Sequence, residues 1–180
     1  SELISKKTEK KIVFIGKNVP RKNLRFAINC FKKINAVGYK MEIYGDDLLN
    51  DAPKYQKQNI LFMGHTKKKD VLEAISSASL MLFPTLHDAN PTVVTEALAL
   101  GTRILTFDKW GMREMNYPHL YKVEESHPYT QLESIYKQKI DSILEIPYSH
   151  EMRTNNSILF RDLNSTHKFI EKLKPFYLDK

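Results

Sequence analysis

The 180-residue sequence is poor in cysteine and in long apolar runs, and each shortage excludes a class of protein. The single cysteine, Cys30, excludes an intrachain disulfide and any metal site built from several cysteines, and it fits a reducing compartment. No apolar run approaches the roughly 18 residues that a membrane-spanning helix needs. Residues 1–11 are polar and basic without an apolar core, so we expect no signal peptide.

Familiar phosphate-binding and metal-binding motifs are also missing. The glycine-containing loop at residues 16–23 has neither the Gly-x-Gly-x-x-Gly of the Rossmann fingerprint nor the second glycine and Lys-Ser/Thr pair of a Walker A loop. The histidines share no metal-ligand spacing, so we predict no metal site; they are His65, His87, His119, His127, His150 and His167.

The formal net charge of +7 leaves three function classes open. They are a nucleic-acid binder, a protein near anionic lipid, and a binder of phosphorylated small molecules. The lysines are spread over the whole chain, with short clusters only at 6–11 and 67–69, so most of the excess charge is expected on a solvated surface. No basic run is interleaved with aromatic residues as in single-strand binders, so we predict no nucleic-acid partner.

Short apolar runs alternate with amphipathic stretches along the chain. Predicted strands occupy residues 12–15, 41–44, 59–63, 80–83, 103–107 and 120–123. Predicted helices occupy residues 23–34, 70–79, 91–100 and 132–144, and a last one follows Asn164 or Ser165. This βαβ spacing predicts an α/β fold, a doubly wound Rossmann-like parallel sheet of about six strands with helices on both faces. We expect a lead-in or linker remnant at 1–11, one domain at 12–180 and a half-buried Cys30.

The common strand order 3-2-1-4-5-6 would make strands one and four neighbours at the switch point, where ligands bind. The loop after strand one starts with Gly16, which allows close approach of the backbone, and carries Lys17, Arg21 and Lys22. Such cations could meet phosphate oxygens. The alternative is an ordinary solvated loop with surface lysines.

The loop after strand four, at residues 84–91, leads into a helix. Asn90 is predicted as the N-cap, Pro91 as the first helical residue and Gly101 as the residue just past the helix end. Free N–H groups and the positive end of the helix dipole would then lie at the mouth of this loop. We therefore predict a site for an anionic, hydroxyl-rich ligand where the two loops meet.

Two carboxylates bracket this mouth. Glu96 lies one helical turn after Thr92 at the edge of the apolar stripe, where it could accept two hydrogen bonds from a vicinal diol such as a ribose, or be an ordinary surface glutamate. Asp88 could act near the reacting centre or simply cap its own loop. Trp110, after strand five, could line the crevice, meet another domain or pack locally.

Taken in order, these motifs resemble glycosyltransferase family 4, in the C-terminal donor-binding domain of its GT-B enzymes. The resemblance is clear from about Ile12 to Val123. It is carried by Gly16-Lys17 and Lys22-Asn23, by Gly45 and Gly64 at strand ends, by Asp88 separated by seven residues from Glu96-Ala97-Leu98-Ala99-Leu100-Gly101, and by the strand and turn from Ile104 to Glu114.

The resemblance implies a role for each matching residue. Lys17 and Lys22 would hold the donor diphosphate beside Gly16, Glu96 would bond the ribose hydroxyls, and Asp88 would lie near the donor sugar. The turn of Asn90, Pro91, Thr92 and Val93 would offer backbone N–H groups. It implies no metal and no cofactor beyond the nucleotide diphosphate sugar that serves as donor.

The sequence departs from the family pattern at three positions. Asp88 stands in place of a glutamate and is one methylene shorter, and Ala89 stands where glycine is usual. Pro91 has no N–H, so that contact must come from Thr92 or Val93.

As a whole, the resemblance implies a retaining, hexosyltransferase-type glycosyltransferase that acts in glycan or polysaccharide biosynthesis. Its acceptor would be a glycan or a lipid-linked molecule. We expect the protein to be cytoplasmic or peripheral at the inner membrane face. A GT-B enzyme has two α/β domains, and this chain matches one, so we expect the N-terminal acceptor domain to be absent and the isolated domain to be inactive. Two alternatives stay open: a GT-B-like nucleotide-sugar epimerase and a non-catalytic basic α/β binding module.

Overall fold

The computed structural model describes residues 4–5, 8–46, 59–89, 91–125 and 128–165. The strands are β1 Glu9–Ile15, β2 Lys40–Tyr44, β3 Ile60–Gly64, β4 Ala78–Phe83, β5 Ile104–Phe107 and β6 Leu120–Val123. The α-helices are α1 Leu24–Lys32, α2 Lys68–Ser77, α3 Thr92–Ala99, α4 Tyr129–Glu145 and α5 His150–Leu163, and short 3-10 helices lie at Pro20–Lys22 and Trp110–Met112. Within these residues, no helix is both long and apolar enough to cross a bilayer.

The six strands form one parallel sheet in the order β3-β2-β1-β4-β5-β6. This confirms the predicted fold class and the predicted strand order. All six residues of the central strand β4 are buried, as expected of a strand covered on both faces. The carboxyl ends of the neighbouring strands β1 and β4 therefore lie side by side at one edge of the sheet.

Two apolar cores cover the two faces of the sheet. One contains α1 and α4 and includes a cluster of aromatic rings from Phe26, Phe107 and Tyr136, whose centroids lie 5.2–5.5 Å apart. The other contains residues of α2, α3 and α5 against the opposite side chains of the same strands. Helices thus cover both faces of the sheet, and the loops at the strand ends are where a site can form.

Three local expectations need correction. The strand β1 begins at Glu9, three residues before its predicted start, because Lys11 is buried and paired with Glu42 of β2, with Nζ 3.5 Å from Oε2. Cys30 is fully buried instead of half-buried, and burial raises the pKa of its thiol to about 12. Ile4 is buried too, so part of the predicted lead-in packs on the domain.

The helix α5 is missing from the sequence-based prediction. It begins at His150, where the hydroxyl of the N-cap Ser149 accepts a hydrogen bond from the Met152 N–H at 3.1 Å. It ends at Leu163, and its C-cap is Asn164, which is predicted above as a helix start. The helix predicted beyond that residue lies outside the described residues.

Two buried arginines join α5 and the preceding turn to the sheet. Arg153 of α5 is 0% exposed and donates to Thr102 Oγ1 at 3.0 Å, Thr8 Oγ1 at 3.2 Å and the Ala78 carbonyl at 2.8 Å. Arg103 donates to the carbonyls of residues Ser79, Ile143 and Ile146. Both guanidinium groups lie over the ring of Tyr148, at 4.5 Å for Arg103 and 5.1 Å for Arg153. Desolvation lowers both pKa values, that of Arg153 to about 10.

Gly101 ends α3 as predicted. It lies in the left-handed region with φ 69°, its N–H donates to the Leu98 carbonyl, and the Thr102 N–H donates to the Ala97 carbonyl. These two bonds form a Schellman motif. A Cβ at Gly101 would also lie 2.0 Å from the carbonyl oxygen of Arg153, so glycine is needed here for close packing against α5 as well.

The two requirements at Gly101 can be separated with Gly64, which has nearly the same φ, 66°, but no atom near its missing Cβ. Gly64→Ala should cost about 1 kcal/mol of unfolding free energy, which is the left-handed penalty alone. Gly101→Ala should cost about 1 kcal/mol more, because α5 has to move. Urea unfolding of both variants measures this difference. Equal losses of unfolding free energy in the two variants would show that the contact with α5 does not contribute to stability.

Candidate functional site

The loops that follow β1 and β4 meet, as predicted. The Leu86 N–H donates to the carbonyl of Arg21 at 2.8 Å, which joins the two main chains. The ammonium of Lys22 lies 2.7 Å from Asp88 Oδ2, and Nη1 of Arg21 lies 3.7 Å from the same oxygen. Two cations from the first loop therefore surround one carboxylate from the second.

Lys22 is the most enclosed cation of this cluster. Its side chain is 14% exposed, and its ammonium lies 4.9 Å from the ring centroid of Phe83, the last residue of β4. The Asp88 side chain is nearly as enclosed. Charges shielded from water interact more strongly than surface charges. Lys22 is thus held at the carboxyl ends of both strands, where it can act on an incoming anion.

The start of α3 lies one residue later than predicted. Pro91 is the N-cap and not the first helical residue, because its backbone is extended (φ −76°, ψ 106°) and its carbonyl accepts from the Val94 N–H at 3.0 Å. The predicted N-cap Asn90 lies outside the described residues. Among the described residues, no acceptor is found for the N–H groups of Thr92 and Val93. These two donors are at the positive end of the helix dipole.

Glu96 lies on α3 at the edge of the apolar stripe, as predicted. Its side chain is half-buried beside the buried Ala97 and forms an ion pair with Lys68, the first residue of α2. The structure therefore brings Lys22 and Asp88 into direct contact, whereas Glu96 has its own cation. In the free chain the two carboxylates are neutralised separately.

Lys17 pairs with a different carboxylate and is more exposed than Lys22, with 64% of its side chain accessible. Its ammonium lies 3.7 Å from Asp46 Oδ2, and Asp46 also pairs with His65 Nδ1 at 2.8 Å. The hydrogen bond to His65 lowers the pKa of the Asp46 carboxyl. These residues line a shallow cleft of about 170 Å³ that also includes Gly16.

The sequence predicts Gly45 at a strand end, and the structure shows a second reason for glycine there, the close approach of another main-chain segment. Its φ is 150°, and a Cβ there would lie 2.1 Å from the carbonyl oxygen of Gly16. The Gly16 N–H in turn donates to the carbonyl of Tyr44 at 2.9 Å. The absence of a side chain at Gly45 thus allows the main chains at the ends of β1 and β2 to approach closely.

A third loop, which follows β5, contacts the loop after β4. From sequence, the position of Trp110 in this third loop is open. The Trp110 indole N–H donates to the Leu86 carbonyl at 2.8 Å, and the ring lies 4.3 Å from that of His87. Trp110 has φ 50°, a conformation that costs a bulky residue of the order of 1–3 kcal/mol. A Cβ at Gly111 would lie 2.0 Å from the Ala89 carbonyl oxygen. The Trp-Gly pair directly after a predicted strand is the signal that could have indicated this contact.

The described residues include no candidate metal centre. Within the described ranges, no three or more His, Cys, Asp or Glu side chains are grouped so that they could hold a metal ion. The buried His119 has its Nε2 3.3 Å from the Leu98 carbonyl, and burial lowers its pKa to about 4.

Several solved glycosyltransferases share this fold. The pneumococcal O-GlcNAc transferase GtfA, in complex with UDP and GlcNAc, superposes with a TM-score of 0.72 at 17% identity over 94% of this chain and 35% of that chain. An S. aureus TarM mutant in complex with Fondaparinux, alpha-GlcNAc-glycerol and UDP gives 0.70 at 19% identity over 96% and 36%. WaaG, a glycosyltransferase involved in lipopolysaccharide biosynthesis, gives 0.68 at 16% identity over 98% and 49%.

These likenesses concern the fold, which is that of a domain of GT-B glycosyltransferases. The chain spans between about a third and a half of the length of these proteins. No curated protein sequence matches the chain. Residues 1–158 match the family described as "Glycosyl transferases group 1". With most of its length matched, the chain belongs to the group 1 glycosyl transferases.

Proposed function

We propose that this chain is the donor-binding domain of a family 4 glycosyltransferase and that it holds a nucleotide diphosphate sugar between the loops after β1 and β4. The observation that carries the proposal is the contact of Lys22 with Asp88 across the switch point of the sheet. The contact pairs an enclosed cation with a carboxylate four residues before the start of α3, in a chain of the group 1 family.

The diphosphate would lie against Lys22 and Lys17, with the N–H groups of Thr92 and Val93 on its other side. Charge-assisted hydrogen bonds from ammonium groups and the helix dipole both favour such an anion. The turn containing Asn90 and Pro91 would shape this contact, and Gly16 would let the phosphates approach the backbone. These positive groups would neutralise the leaving diphosphate, and we propose that no metal or cofactor is needed.

The two carboxylates would have separate tasks. Glu96 would accept hydrogen bonds from the two ribose hydroxyls, because a carboxylate can bind a vicinal diol with both oxygens. Asp88 would act next to the transferred sugar, since it adjoins the cation that meets the diphosphate. Binding of the donor would require Lys22 to divide its hydrogen bonds between Asp88 and phosphate.

The complete reaction would be hexosyl transfer with retention, to a glycan or lipid-linked acceptor in the cytoplasm or at the inner membrane face. The fold shared with WaaG, which is involved in lipopolysaccharide biosynthesis, supports a role in polysaccharide biosynthesis. An N-terminal acceptor domain, or a partner chain in its place, would complete the active site. We expect the isolated chain to bind donor without appreciable transfer.

Thermal denaturation with a panel of UDP-, GDP-, ADP- and CMP-sugars tests the proposal. A ligand present at about 100 times its Kd adds roughly 2.7 kcal/mol of stability, which would raise the Tm of a domain of this size by roughly 5–11 °C. Glu96→Ala should abolish the shift caused by the best donor. The matched control is Glu145→Ala, an exposed glutamate at the end of α4, which should keep it.

Two results would contradict the proposal in different ways. A Glu96→Ala variant that responds like the unmodified chain would mean that the ribose is bound elsewhere. If no donor changes the Tm, the chain does not bind nucleotide sugars by itself, and the proposed function fails.

A further inference from the structure

An aromatic pair, His87 and Trp110, joins the loop of Asp88 to the loop after β5. The Trp110 side chain is 55% exposed, and its ring meets that of His87 at a centroid distance of 4.3 Å and an interplanar angle of 65°. His87 is exposed as well, and it directly precedes Asp88 in the chain. An exposed aromatic pair of this size needs an explanation, because apolar packing does not account for it.

The indole of Trp110 is held in place although most of it is open. Its N–H donates to the Leu86 carbonyl at 2.8 Å, so the polar atom of the ring is already satisfied. The loop around it is also fixed, because Gly111 packs against the carbonyl of Ala89 without room for a Cβ. What remains accessible is an aromatic surface that is anchored by these contacts.

We propose that Trp110 and His87 form a stacking surface for a pyranose ring, an inference that rests on the proposed function and adds a contact to it. The face of an aromatic ring carries partial negative charge, and one face of a pyranose presents C–H groups with partial positive charge. The hydroxyls at the rim of the sugar would then point toward Asp88, which lies between His87 and Ala89 in the chain. The ring can belong to the donor or to the acceptor.

The sequence offers a direct readout, because Trp110 is its single tryptophan. Tryptophan fluorescence therefore reports this one side chain in the unmodified 180-residue chain. If the donor sugar stacks, the best nucleotide sugar of the panel should shift the emission to shorter wavelength and lower acrylamide quenching roughly twofold, since one indole face becomes covered. The matching nucleoside diphosphate should bind without either change.

The second arm identifies an acceptor sugar. Methyl glucoside, methyl N-acetylglucosaminide and maltose are added to the chain saturated with nucleoside diphosphate. A blue shift with one of these probes, and none with the nucleotide sugar, would assign the stacking surface to the acceptor.

Variants test the same contact by affinity. Trp110→Ala should weaken binding of the responding sugar ligand roughly fivefold to tenfold while leaving the affinity for nucleoside diphosphate unchanged, and Trp110→Phe should retain most of the binding.

Three results overturn the inference. In the first, nucleoside diphosphate binds but no sugar probe changes the fluorescence, and the proposed function stands without the stacking surface. In the second, diphosphate alone changes the fluorescence as much as nucleotide sugar does, and Trp110 senses the phosphate site only. In the third, no nucleotide binds, and the inference falls together with the proposed function.

Discussion

Lys22→Ala should weaken binding of the responding nucleoside diphosphate by roughly 10- to 100-fold, since a hydrogen bond to a charged group is worth about 1.5–3 kcal/mol. Lys22 is more enclosed than the other cations of the crevice, and the variant leaves the Asp88 carboxylate facing the phosphates with Arg21 as its one remaining cation among the described residues. Isothermal titration calorimetry at low salt measures the change.

Two further variants make this expectation specific. Lys17→Ala removes a mostly exposed cation from the same loop, so it should cost less than Lys22→Ala. Asp88→Asn should have the opposite sign and raise the affinity for nucleoside diphosphate, because it removes an anion that competes for Lys22. Losses of the same size in all three variants would show that the loop responds as a whole and that Lys22 has no particular part in binding.

Arg153→Ala should lower the unfolding free energy by about 4 kcal/mol, because it leaves a cavity and removes the partner of buried acceptors. The lost donor satisfies Thr102, Thr8 and the Ala78 carbonyl, where β4 and β5 begin. For a domain of this length, the change corresponds to a Tm lower by roughly 8–16 °C. Thermal and urea unfolding followed by circular dichroism measure it.

Arg161→Ala is the matched control, since Arg161 is an exposed arginine on the same helix. Its removal should change the unfolding free energy by no more than about 0.5 kcal/mol. Arg153 lies where the strands begin and the proposed donor site lies where they end, so folded Arg153→Ala should keep its nucleotide affinity. Similar stabilities of the two variants would mean that the buried guanidinium contributes nothing net.

The order of the sheet and the meeting of the two loops could be predicted from sequence, because both follow from strong local patterns. Each strand contains a short apolar stretch, and glycines such as Gly45 and Gly64 follow or end them. With βαβ spacing, the strand order then places the loops of Lys22 and Asp88 together. Gly101 could be predicted because the left-handed end of a helix favours glycine for a local reason.

What could not be predicted depends on contacts between distant segments. Nothing in the sequence marks Arg103 and Arg153 as buried, and the carbonyls around them, which make burial possible, come from distant segments. The charge of Lys11 likewise led to a predicted start of β1 that is too late, since its partner Glu42 is on the next strand. The pairing of Glu96 with Lys68 joins two helices and the contact of Trp110 with Leu86 joins two loops, again between distant segments.

The main chain of Leu86 joins three loops, and this has a consequence for engineering. Its N–H bonds the loop after β1, and its carbonyl accepts the indole N–H from the loop after β5. A loop taken alone from a relative would have to place its bonding atoms in the same positions for both bonds to form again, so transplanting donor preference calls for exchanging the three loops as one cassette. Because Leu86 makes both bonds with main-chain atoms, an alignment of side chains would not reveal that the three loops have to be moved together.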